Sequence, residues 1–208
     1  MDVEAVTIDA FGTLVALRDP VPALRRALAE RGVTRDEDAV REAFGAEVEF
    51  YVARSHEGRD EATLALLRRD CAAVFLEAAG AELDAGEFAP AFLDSLEFEP
   101  IDGAVGACRA LAARGLRLAV VSDWDVGLHE HLDALGIAAL VDAVVTSAEA
   151  GAPKPAPNVF ELALARLGVP PERAVHIGDS DADEEGARAV GMRFEPAPLA
   201  DAAERILA

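Results

Sequence analysis

The sequence predicts an α/β fold, a doubly wound parallel sheet with a helical segment inserted near its start. Three observations carry this. Short apolar runs alternate with helical patterns from Pro100 onward. A similar apolar run opens the chain at residues 3–8. Between the two lies a long stretch with helical spacing and no good strand.

The elements follow in order. VEAVTI at residues 3–8 reads as a strand. Residues 20–31, 37–54, 60–79 and 86–96 carry helical spacing of Leu, Ala, Val and Phe, with turns at Gly32, Gly58 and Gly80. A helix at 103–114 ends at Gly115, and LRLAVV at 116–121 is a buried strand. A helix at 126–135 precedes a strand at 143–146, and the loop with Lys154 comes next. Then come a helix at 157–167, a strand at 173–177 and a helix at 183–190. A short Met-Arg-Phe segment leads to a last helix. The helical gap is far longer than a crossover needs. Residues 16–96 are therefore expected to form an inserted helical lobe, and residues 1–15 and 97–208 the sheet domain.

The 208 residues suffice for one sizeable core plus a small lobe, and 52% of them are apolar, so the chain is globular. A formal charge of −20 excludes nucleic acid and anionic membrane as expected partners, because both call for basic patches. No apolar run approaches the ~20 residues that span a bilayer, and residues 1–9 lack a secretory pattern. Cys71 and Cys108 lie apart in Ala-rich helical patterns, which reads as free buried thiols in a reducing cytoplasm. A cytoplasmic monomer or homodimer is expected. One count is more specific: 18 arginines stand against a single lysine, Lys154, set between prolines in GAPKPAP. A position that stays Lys in such a chain points to a need for a compact ammonium.

Each apolar run ends in a polar group. The first ends at Asp9, the second at Ser122, the third leads to Lys154, and the fourth ends at Asp179 with Asp183 four residues on. In an open parallel sheet these ends share one rim, where ligands bind. A carboxylate at Asp9 can attack an electrophile to give an ester that water hydrolyses. Lys154 would keep it ionised. Asp9 and Asp179 side by side repel unless a divalent cation lies between them, and hard oxygen ligands with an open position suit Mg²⁺.

DAFGTL, VVSDWD, GAPKPAP and HIGDSDADEEGA, in that order, resemble the four motifs of the haloacid dehalogenase-like superfamily of hydrolases. The helical insert is similar to the cap of one branch, which closes over the site and selects substrates. The resemblance implies a Rossmann-like core, Asp9 as nucleophile, Ser122 as binder of the transferred group and Lys154 as charge partner. It implies Asp179 and the backbone carbonyl of Phe11 as magnesium ligands, with Asp183 orienting the site or binding metal through water. Thr13 and Asp123 join Ser122 and Lys154 as candidate substrate-binding residues, although Thr13 and Gly12 serve the turn first. The substrate implied is a small molecule, a phosphate ester.

Phe11 departs from the phosphatase pattern, which carries an acid two residues after the nucleophile. Losing acid–base help costs about 10²–10⁴-fold. The 2-haloacid dehalogenases carry an aromatic residue there, because halide leaves without a proton, but they resemble Ser/Asn where this chain has Gly178 and Asp179. Three readings stay open: a Mg²⁺-dependent phosphate-monoester hydrolase acting through an aspartyl-phosphate, a metal-independent dehalogenase, and a degenerate binding protein. Asp123 or Asp125 is a possible substitute proton carrier. Phe11 also reads as a hydrophobic plug, Arg41 as a solvated helix residue and His176 as a hydrogen-bonded core imidazole. His56, His129 and His131 read as surface residues, and Trp124 as lining the site's mouth.

Overall fold

The computed structural model describes residues 3–208; residues 1 and 2, which begin the expected sheet segment 1–15, lie outside the described residues. The chain divides into two compact units. One comprises the residues up to Ala16 together with Glu99–Ala208, and the other Leu17–Phe98.

The first unit is built on a five-stranded parallel sheet. Its strands are β1 (Ala5–Ile8), β4 (Arg117–Ser122), β5 (Ala143–Thr146), β6 (Ala174–Gly178) and β7 (Arg193–Pro196), in the order β5-β4-β1-β6-β7. β1 and β6 are buried along their whole length, as near-continuous apolar runs with both faces covered should be. One face packs Ala5, Ala119, Val121, Val145 and Ala174 against α8 (Asn158–Leu167) and Ala187 of α9 (Asp181–Ala189). Helices α5 (Ala104–Ala113) and α10 (Leu199–Leu207) pack together and also contact the sheet. α6 (Leu128–Ala134) and the single-turn α7 (Ser147–Ala150) flank β5 in sequence. Register aligns Ile8 with Val120 and Ile177, so the chain leaves β1, β4 and β6 on one rim.

The second unit contains α1 (Val21–Ala29), α2 (Glu37–Arg54), α3 (Glu61–Ala78) and α4 (Ala85–Leu93). Asp36, Asp60 and Asp84 cap the last three through their side chains. The core gathers Leu24, Leu28, Val40, Leu67, Phe75, Phe88 and Phe92, with the Phe75 and Phe88 rings stacked at 5.9 Å.

Three pieces of strand differ from the expectation. β2 (Val15–Leu17) and β3 (Phe98–Pro100) pair as a two-stranded ribbon and are too short to show any period. β7 is the segment expected only as a connector. It is an edge strand, polar and half-buried, and Pro196 at its last position removes no ladder bond. Both cysteines are free and buried, and among the described residues no helix is long and apolar enough to cross a membrane.

Glu47 on α2 was not singled out by the sequence and is 4% exposed. Burial pushes its carboxyl up to about 7, while a hydrogen bond with Cys71 of α3 pulls the other way. The folded chain therefore holds a proton that the unfolded chain releases above its ordinary value. The associated stability is complete below about pH 4.5 and is lost as pH rises through about 7. Glu47→Gln should remove that decline, raising stability at pH 8 by on the order of 1–3 kcal/mol with little change at pH 4.5. Denaturation profiles across pH check this; parallel profiles for the two proteins would refute it.

Candidate active site

The rim carries a tight turn. Asp9 continues the β1 ladder, its N–H donating to the Ile177 carbonyl at 2.8 Å. The chain then folds back on the carbonyl of Ala10, which accepts from the N–H groups of Thr13, Leu14 and Val15. Gly12 has φ of +88°, a conformation a β-carbon strains. A β-carbon there would also fall on the Asp179 carboxylate. A β-carbon on Gly178, at the end of β6, would likewise meet the Asp183 side chain. Two glycines thus let two acids approach closely, Asp179 from the end of β6 against the turn after β1 and Asp183 from α9 against the end of β6.

The third segment comes from the loop after α7. Glu149 and Thr146 form a reciprocal cap that starts α7, and Gly151 ends it with φ of +82°. Lys154 follows. Its N–H donates to Asp123 Oδ1 at 2.9 Å, tying the loop to the end of β4. Its ammonium donates to Asp9 Oδ1 and to Asp183 Oδ1, each at 2.6 Å, with all three side chains 5% exposed or less.

Asp183 is fully buried and receives four hydrogen bonds. Oδ1 accepts from Lys154 and from His176 Nε2 at 2.9 Å. Oδ2 accepts from the N–H of Ser180 at 3.2 Å and from its hydroxyl at 2.5 Å. An ionised carboxylate only accepts, so His176 Nε2 carries the proton and Nδ1 accepts from the Thr7 hydroxyl at 2.8 Å. Burial holds His176 below its ordinary value, so the imidazole is neutral. Phe160 seals it edge-on at 4.9 Å.

Charge decides what the site lacks. Burial works against Asp183 ionising, but the His176 hydrogen bond and the Lys154 charge outweigh it and hold the carboxyl well below the usual range. Burial also opposes the Lys154 charge, but Asp9, Asp183 and Asp123 together hold the ammonium above its ordinary value. Asp9 is left worst placed. Burial raises its carboxyl, Lys154 pulls it down, Asp183 and Asp179 push it up again, and the balance stands at about 7. One ammonium faces three acids, and one oxygen from each of Asp9, Asp179 and Asp183 lies within 4.8 Å of the others. The surplus negative charge and the hard carboxylate oxygens of Asp9 and Asp179 fit a divalent cation such as Mg²⁺, with Asp183 adding charge while its own acceptor positions are filled.

The other expected residues are placed as follows. Ser122 ends β4, is 2% exposed and stands opposite Thr146 of β5. Thr13 is 1% exposed, and its Oγ1 is the buried side-chain oxygen that lacks a hydrogen-bond partner among the described residues. Phe11 is 53% exposed, its ring edge-on to Trp124 at 6.4 Å. Trp124 is itself buried and also touches His131 at 5.8 Å. Asp125 is buried and accepts the N–H of Gly127 at 2.7 Å. His129 pairs with Glu149. Arg41 bridges Glu37 and Asp19 on an exposed face. Two contributors were not anticipated, Ser180 and Thr7. The Ser-x-x-Asp spacing of 180–183 is a capping-box signal that flags the first; nothing in the sequence pairs Thr7 with His176.

Lys154→Ala would strand buried carboxylates without a counter-charge. Breaking such a pair from one side costs about 3–5 kcal/mol. Denaturant titration near neutral pH should show a loss of that order; a change below 1 kcal/mol would mean that the ammonium is not structurally required.

A family model for haloacid dehalogenase-like hydrolases matches residues 3–191. A phosphoglycolate phosphatase of Rhodospirillum rubrum is 33% identical over 91% of this chain and 77% of its own length. The haloacid dehalogenase-like hydrolase domain-containing protein 3 of Bos taurus is 45% identical over 46% of this chain, and the match spans 38% of that relative's length. The L-2-haloacid dehalogenase structure from Xanthobacter autotrophicus superposes with a TM-score of 0.68 at 25% identity, covering 99% of this chain and 83% of that one. With its ordered motifs on one rim of a parallel sheet, the chain belongs to the haloacid dehalogenase-like hydrolase family.

Proposed function

We propose that this chain is a Mg²⁺-dependent hydrolase of small phosphate monoesters, with Asp9 as the nucleophile. The observation that carries the reading is Asp9 itself: a buried carboxylate at the sheet rim, 2.6 Å from the Lys154 ammonium and beside Asp179. The phosphoglycolate phosphatase relative supports the phosphate chemistry.

Asp9 Oδ1 is engaged by Lys154, which leaves Oδ2 to attack phosphorus. The phosphorus–oxygen bond to the leaving group breaks as the aspartyl-phosphate forms. Water then attacks that phosphorus, restores the Asp9 carboxylate and releases phosphate. Lys154 keeps Asp9 ionised and offsets phosphoryl charge. Ser122 and Thr13 offer hydroxyls to the phosphoryl oxygens, which gives the orphaned Thr13 hydroxyl a partner. Asp9, Asp179 and the Phe11 carbonyl would hold Mg²⁺, which when bound neutralises phosphoryl charge and favours the ionised Asp9. Asp183, its acceptor sites taken, orients Lys154. In this reading the Leu17–Phe98 unit is the substrate-selecting cap.

Carbon–halogen hydrolysis is the second reading, favoured by the exposed Phe11 ring, which cannot transfer a proton. It requires halide release from 2-haloacids with a chelator present.

An aryl phosphate should release phosphate with Mg²⁺ and not with chelator, and Asp9→Asn should abolish release. Release unchanged in that variant would sink the nucleophile assignment. Thr13→Val removes a buried hydroxyl that has no partner in the free protein. Its thermal stability should hold or rise while kcat/KM falls about tenfold, the worth of one hydrogen bond. A loss of stability with unchanged kinetics would reverse the assignment.

A further inference from the structure

The phosphatase reading leaves open which phosphate compounds the site can use, and the proton inventory of the sheet unit narrows it. Cleavage of an alkyl ester expels an alkoxide whose conjugate acid has a pKa near that of water, about 16, so it needs a proton in the transition state. A phenol of pKa about 10, or a carboxylic acid of about 4, leaves as the anion far more readily. A proton donor for the leaving oxygen must reach it from the residues that surround Asp9.

The polar side chains there are accounted for: the phosphatase reading gives the Thr13 and Ser122 hydroxyls to phosphoryl oxygens and Asp179 to the metal, and the others bond within the site. Lys154 bridges Asp9 and Asp183. Asp183 accepts four hydrogen bonds and is held ionised. His176 is fully buried behind it, between Asp183 and Thr7. Asp123 accepts the Lys154 N–H, and buried Asp125 accepts the Gly127 N–H; neither is a free side chain able to swing in. Two residues beyond the nucleophile, on a turn fixed by the Ala10 carbonyl, the chain presents an apolar ring instead. Phe11 is more than half exposed and braced edge-on by Trp124. An exposed aromatic ring at a polar rim is a surface without a core to fill, and a flat π-face suits a planar leaving group.

We propose that this site is selective for phosphate compounds whose leaving group departs without protonation, namely aryl, enol and acyl phosphates, and that Phe11 is the specificity-determining residue against which the planar leaving group packs. The proposal rests on the phosphatase reading. In the first step the electron pair of the breaking phosphorus–oxygen bond stays on the leaving oxygen. The product departs as aryloxide, enolate or carboxylate and takes its proton, if any, from solvent.

The test is kcat/KM with Mg²⁺ for the full chain on a series of substituted aryl phosphates, with one alkyl phosphate and acetyl phosphate as the extremes. Without proton donation the rate should fall about 5–10-fold for each unit rise in leaving-group pKa, with alkyl phosphate turnover about 10⁴-fold or more below phenyl phosphate. Phe11→Asp, a change at an exposed position, should flatten the dependence and raise alkyl phosphate turnover by about 10²–10⁴-fold. Phe11→Ala should raise KM for aryl phosphates and leave the slope steep. A shallow slope for the unaltered protein, with alkyl and aryl phosphates within tenfold of each other, overturns the proposal and leaves the phosphatase reading intact. Absence of phosphate release from every member, acetyl phosphate included, overturns both.

Discussion

Lys154 reaches two carboxylates at 2.6 Å, one at the end of β1 and one on α9, while its own N–H is held by Asp123 beyond β4. Three chain segments far apart in sequence are thereby fixed to one residue. None of these groups is tolerable alone at this burial, since an isolated charge away from water is very costly. The site exists because its members need one another. The parallel register supplies the meeting point, the two glycines supply the space, and His176 and Ser180 hold Asp183 so that its oxygen faces the ammonium. The arrangement remains over-supplied with negative charge, and Asp9 bears the consequence. A group that folding alone would prefer neutral is kept at the rim beside an ammonium and two further acids.

Much of this architecture was written in the sequence as contrast. The strands that form the sheet centre are short, apolar and β-branched, and each stops at a polar residue, so AVTI before Asp9 and AVHIG before Asp179 stand out. Lys154 stood out because the chain uses Arg elsewhere. The parts that did not show lack such contrast. β7 lies at an edge, where half its residues face water and no apolar run is required. β2 and β3 are three residues each, shorter than any period. Glu47 sits on α2 among other acids, and nothing local distinguishes the one that faces α3. Thr7 and His176 meet only because β1 and β6 pair with those residues in register, and pairing is not a local property. The polar rim and the Ser180 capping signal were therefore readable, and the Thr7–His176 pairing beneath them was not.

The turn after Asp9 concentrates the local departures from ordinary protein chemistry: a left-handed Gly12, an unpartnered buried hydroxyl at Thr13 and an exposed ring at Phe11. Such clustering is what is expected where folding and function make different demands of the same residues. It also separates the roles of neighbours: backbone bonds to Ala10 fix the turn, which frees the side chains of residues 11 and 13 to be chosen for what they meet.

The scarcity of lysine has a further consequence. Acylating and alkylating reagents that seek primary amines find one side-chain target in this sequence, and its ammonium is 5% exposed, held protonated and clasped by two acids. Such reagents need a free amine lone pair, so the closed ion cluster shields the residue sterically and chemically at once. The rate at which that amine becomes modified is therefore a built-in clock for opening of the Asp9–Lys154–Asp183 cluster, legible in the mass of the peptide that carries Lys154 and with no probe added to the chain.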